Sequence, residues 1–173
     1  MRLTPVLLAV TIVAATMSSA GVTQRPDDQI DPRSTALVQQ AQTHATAGRN
    51  NEAIDFYETA LAVDPRNRQA YLGLARVAQA QRLPGKAIGY YADALRIEPN
   101  DVNALAGQGE AYVQRGAVAR AQRNLERVRE LCGRTCAQAN QLAAVIQRGP
   151  PVETAQSQAP AQPAPTPTPR QPN

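Results

Sequence analysis

From Ser34 to Arg148 apolar residues recur at helical spacing, in runs of 13 to 15 residues such as the one carrying Ile54, Tyr57 and Leu61 and the one carrying Tyr91, Ala94 and Leu95. Short breakers separate the runs at Gly48-Arg49-Asn50, Pro84-Gly85 and Arg115-Gly116. Each run predicts an amphipathic helix, and the runs come in pairs. The segments LAVDPRN, ending at Asn67, and LRIEPND, ending at Asp101, place Pro65 and Pro99 34 residues apart. The same offset relates Ala53-Ile54 to Ala87-Ile88, Tyr57 to Tyr91, Ala60-Leu61 to Ala94-Leu95, and Ala41 to Ala75 to Gly109. A fixed period of this length is the signature of a stacked repeat, each unit a helix pair that buries its apolar face on its neighbours.

The copies Ser34–Asn67, Arg68–Asp101 and Val102–Thr135 resemble the tetratricopeptide repeat. Its opening apolar position holds Leu37, Tyr71 and Leu105. Its central alanine is Ala53, Ala87 and Ala121, the following aromatic position holds Tyr57, Tyr91 and Leu125, and its closing Pro is Pro65 and Pro99. The third copy departs most, with Val128 for the second small residue and Gly133 for the Pro. The resemblance implies an all-α fold of three helix-turn-helix units forming a short right-handed solenoid. The small residues suit it, because a larger side chain at Ala41, Ala53, Ala75 or Ala87 would hold paired helices apart.

The ends carry no repeat. Met1-Arg2, an apolar run from Leu3 to Thr16 and small residues closing at Ala20 have the form of a secretory signal over residues 1–20, which predicts cleavage before Gly21 and a periplasmic or secreted chain. The apolar run is shorter than the ~20 residues a bilayer core needs, and no other segment is apolar enough, so no transmembrane span is expected in the mature chain. Residues 21–33 read as a polar leader. Residues 149–173, rich in Pro, Ala, Gln and Thr, read as an extended solvated tail.

The two cysteines, Cys132 and Cys136, flank the point where the third copy loses its Pro. An even count in an exported chain favours a disulfide, which would staple a capping helix over residues 136–148, with Thr135 and Gln138 as its capping box. Free thiols and a redox-responsive pair remain open. A zinc site is not expected, because His44 is the only His and is expected to pack as a ring on a helix face.

The formal net charge of +4 comes from 17 Arg and one Lys against 14 acids. It is graded along the copies as −2, +2 and +3, so it marks one end rather than a nucleic-acid surface, which would also want aromatic stacking partners. Arg120, Arg123 and Arg127 stand at helical spacing as a candidate basic face for an acidic partner. No nucleophile and base can be paired, and Gly107-Gln108-Gly109 lacks the strand and third Gly of a dinucleotide turn, so neither an enzyme nor a cofactor is expected. In the resembled family the first helix of each pair lines a concave groove. That implies a protein-interaction adaptor in envelope assembly, binding a peptide or partner helix through Gln42, Gln69, Leu72, Arg76, Asn103 and Glu110.

Overall fold

The computed structural model describes residues 29–151. The expected signal, most of the leader and the Pro-rich tail after Pro151 lie outside the described residues. Among the described residues the elements are helices alone: α1 (Pro32–Thr46), α2 (Asn50–Val63), α3 (Arg68–Ala80), α4 (Pro84–Ile97), α5 (Val102–Gln114), α6 (Val118–Cys132) and α7 (Ala137–Arg148). The pairs α1/α2, α3/α4 and α5/α6 each pack as a hairpin, and each hairpin stacks on the next. α3 and α5 begin at the expected repeat starts. α1 begins two residues earlier than expected, because Pro32 occupies its first turn and the Asp31 carboxylate accepts the N–H of Arg33. Asp31 through Arg33 therefore belong to the fold and not to a leader.

Within each pair the turn is the same device repeated. Gly48, Arg82 and Gly116 follow the first helices at 34-residue spacing, with φ of 74°, 57° and 80°. At each turn the positive-φ N–H bonds to the carbonyl three residues back and the next N–H to the carbonyl five back, as in Gly48 to Ala45 and Arg49 to His44. Glycine takes that conformation freely, whereas Arg82 takes it against its own Cβ. Between pairs the device is proline. Pro65 and Pro99 force the preceding Asp64 and Glu98 into extended backbone, which ends α2 and α4.

The core runs along the stack as three adjoining clusters. Ala41, Ala53, Ala60, Ala75, Ala87, Ala94 and Ala121 have no exposed surface, in keeping with helices that touch through small residues. The Tyr57 ring lies on Gly73 of the next first helix and the Tyr91 ring on Gly107, so close that a Cβ at either glycine would stand 2.1 or 2.4 Å from a ring atom. Polar groups tie the first junction. Ser34 Oγ donates to Ala60 O at 2.7 Å and accepts from Asn67 Nδ2 at 2.8 Å, while buried Asp64 accepts the N–H of Asp31 at 2.9 Å. One repeat on, Arg68 and Asp101 replace Ser34 and Asn67 with an ion pair.

The strained turn gives a direct test of this geometry. Arg82→Gly is expected to raise stability by about 0.5–1 kcal/mol, the relieved left-handed strain outweighing the extra freedom of the unfolded chain. Urea melts of the two proteins measure it. Equal midpoints would mean that Arg82 does not hold the positive-φ position.

Candidate functional site

The first helices α1, α3 and α5 line one face, and α7 decides how much of it is open. α7 packs against both α5 and α6, in the place a fourth first helix would take. Leu142 is fully buried against Gly109, where a Cβ would stand 2.7 Å from the leucine side chain. Gln138 Nε2 donates to Asn103 Oδ1 at 3.0 Å, and Gln141 Nε2 to Glu110 Oε1 at 2.7 Å. Burial pushes the Glu110 carboxyl above its ordinary value, with Gln141 and Arg148 opposing it.

The expected capping box is not what starts α7. Its N-cap is Cys136, without a side-chain cap bond, because Gln138 reaches across to Asn103 instead of back to its own helix. Cys132 ends α6, and its sulfur is paired with that of Cys136, with the Cα atoms 5.9 Å apart. Gly133 between them turns the chain at φ 87°.

The six residues expected in the groove separate accordingly. Asn103 and Glu110 face α7 and are bonded to it. Leu72 does not line the groove as expected: it is 3% exposed and packs into the core with Ala75, Ala87 and Tyr91, and Val38 and Ala106, at the equivalent position of the other repeats, are buried in the adjoining clusters. The helix rotation that lays Gly73 under Tyr57 turns the neighbouring Leu72 inward. Gln69 lines a different cleft, with Ile30, Arg66 and Ile97.

Gln42 and Arg76 remain, and they share a cavity of about 410 Å³ between α1, α2 and α3. Ala45, Tyr57, Gly73, Val77 and Ala80 make its apolar walls, and Gln42, Thr46, Asn50 and Arg76 its polar groups. Most of these carry no helical-register signal in the sequence. The readable signal was the 16-residue spacing from Tyr57 to Gly73, repeated from Tyr91 to Gly107.

The electrostatics centre on Arg76, which is exposed on α3. Burial pushes the Tyr57 phenol up, and the Arg76 guanidinium beside it pulls it partly back. Burial pushes the Tyr91 phenol up to about 12, with Arg76 lowering it and Glu110 raising it, while its hydroxyl donates to Gln79 Oε1 at 2.7 Å.

Elsewhere, His44 packs on Phe56 with ring centroids 4.9 Å apart and accepts from Arg49 Nε at Nδ1. On the candidate basic face Arg123 is exposed, Arg120 lies 5.6 Å from the Tyr112 ring centroid, and Arg127 bonds Glu130 and Asn100. Among the described residues no three His, Cys, Asp or Glu gather as a metal site, and no helix is long and apolar enough to cross a membrane.

Stacked helix pairs with a cavity on the face of their first helices define a helical-repeat scaffold. Residues 38–102 match the family model of the tetratricopeptide repeat, and that span carries tetratricopeptide repeats. Among curated proteins it is similar to a tetratricopeptide repeat and J domain-containing co-chaperone of Fusarium oxysporum f. sp. lycopersici, 38% identical over 82 residues, covering 42% of this chain and 16% of that protein. A probable UDP-N-acetylglucosamine–peptide N-acetylglucosaminyltransferase SPINDLY of Hordeum vulgare is 26% identical over 98 residues, 57% of this chain and 10% of that one. The chain thus spans less than a fifth of either relative.

Among solved structures, the first such domain of Spaghetti (RPAP3) bound to an HSP90 peptide superposes with a TM-score of 0.62 at 22% identity, covering 67% of this chain and 92% of that one. The Yersinia enterocolitica type III secretion chaperone SycD, in complex with a peptide of the translocator YopD, gives 0.61 at 18%, covering 66% and 89%. These likenesses show the fold.

The tyrosine at the second junction supplies a pH test. A phenol raised in the folded chain stabilises it fully below pH 10, and that contribution is lost as pH climbs toward 12, because the unfolded chain ionises first. Tyrosinate absorbance should show a phenol titrating near pH 12 in the folded protein. Tyr91→Phe should flatten the fall of Tm with alkalinity; an unchanged slope would place Tyr91 outside the junction.

Proposed function

We propose that this chain is an exported, non-catalytic adaptor of the cell envelope that binds a peptide segment on the open part of its concave face. One observation carries the reading: the cavity of about 410 Å³ between α1, α2 and α3 is an apolar recess open to solvent, with a few convergent polar groups. It lies on the face whose third repeat α7 covers in part through Asn103 and Glu110, so binding centres on the first two. Similar domains in RPAP3 and SycD hold peptides, which supports a peptide here as well. Export rests on the signal-like residues 1–20. The Cys132–Cys136 pair then acts as a structural staple at the foot of α7, in a compartment that keeps it oxidised.

A random twelve-residue peptide library, displayed with its C-terminal ends fused to carrier, tests the site. The mature chain, with Gly21 at its N-terminus, should enrich a subset of sequences. Synthetic copies with amidated C-termini should lose at least about tenfold in affinity on Ala80→Trp, which fills the recess from its exposed rim. Unchanged affinity in a variant with an unchanged melt would move binding off this face.

A further inference from the structure

The recess carries a specific charge pattern. Among its lining residues Arg76 is the one charged side chain, and the others are amides, hydroxyls and apolar groups. Arg76 is exposed, beside the Tyr57 hydroxyl, and no carboxylate of the described residues stands in an ion pair with it. Other arginines near the junctions are committed: Arg66 to Asp64, Arg68 to Asp101, Arg96 to Asp93 and Arg127 to Glu130. Glu110, an acid of the same set of first helices, is held by Gln141 and feels the charge of Arg148.

We propose that this recess reads an apolar residue next to an acidic one within an extended partner segment. The apolar side chain enters between Ala45, Val77, Ala80 and the Tyr57 ring, and the carboxylate pairs with Arg76. This deepens the peptide-binding reading and rests on it. A planar guanidinium presents a two-pronged donor that fits one carboxylate. A chain terminus with an adjoining acid would place two negative charges beside that single cation, so the recess favours an internal side-chain carboxylate. Gln42 and Asn50 on the opposite rim present amides to the segment's backbone, and the Thr46 hydroxyl, which donates to Thr43 O, can still accept from it. The apolar wall sets affinity, and Arg76 sets which neighbour is accepted.

The same fused display library, which offers no free C-terminal carboxylate, is selected on the full mature chain and on Arg76→Glu and Arg76→Ala. The wild-type chain should enrich Asp or Glu within two positions of a Leu, Ile, Val or Phe. Arg76→Glu should enrich Lys or Arg at that place instead, and Arg76→Ala should keep the apolar residue and lose the charge preference. Synthetic wild-type sequences should weaken roughly tenfold on Arg76→Glu and less at high salt. Both variants change an exposed side chain, and matching thermal melts establish that they fold. Sequences with no acidic preference, or an acidic preference that survives Arg76→Glu, overturn the proposal while Ala80→Trp sensitivity leaves the peptide groove standing. No enrichment at all, or binding indifferent to Ala80→Trp, overturns the groove reading and this proposal with it.

Discussion

Everything along this stack depends on a large side chain meeting a glycine. Tyr57 on Gly73, Tyr91 on Gly107 and Leu142 on Gly109 are contacts that a single Cβ would break. Each brings the backbone of one helix against the side chain of another, and so fixes the distance between them more tightly than interdigitated side chains alone. The fully buried alanines serve the same closeness inside each pair. In a quasi-one-dimensional stack, where each unit touches only its neighbours, such junctions govern both stability and shape.

The junctions also decide what the concave face can do. Laying Gly73 under Tyr57 turns Leu72 into the core and leaves Arg76, one turn on, exposed beside the phenol. The recess exists because α1 and α2 meet α3 across a glycine that fills no space. At the other end Gly109 admits Leu142, which draws α7 onto α5 and brings Gln138 and Gln141 to Asn103 and Glu110. A face that three repeats could have offered whole is thereby open over two and partly covered over the third, where Asn103 and Gln141 stay exposed. The Cys132–Cys136 pair lies at the foot of that cover.

The fold was legible because its determinants are local and periodic. Pro65 and Pro99, the alanine pattern and the breakers mark helix ends and contacts that any reader of spacing can find. The start of α1 at Pro32 was equally local, written in an Asp-Pro step taken for leader. The site was harder. Gln42 and Arg76 line the recess as their register implies, but Leu72, at an equally good register position, turns inward, because side-chain direction depends on a helix rotation set by Tyr57 and Gly73. Asn103 and Glu110 are bonded to α7, and no sequence pattern announces that Gln138 and Gln141 reach them; that depends on where the axis of α7 lands. The positive φ of Arg82 could have been read, since it stands 34 residues from both Gly48 and Gly116.

The central proposal is that binding centres on the first two repeats because α7 covers part of the third. Backbone amide shifts of the ¹⁵N-labelled mature chain, recorded while a library-selected peptide is titrated in, test it most directly. The expected result is movement at Gln42, Thr46, Asn50, Arg76 and Ala80 with Asn103, Glu110, Gln138 and Gln141 unmoved. Shifts centred on α5 and α7 would contradict it.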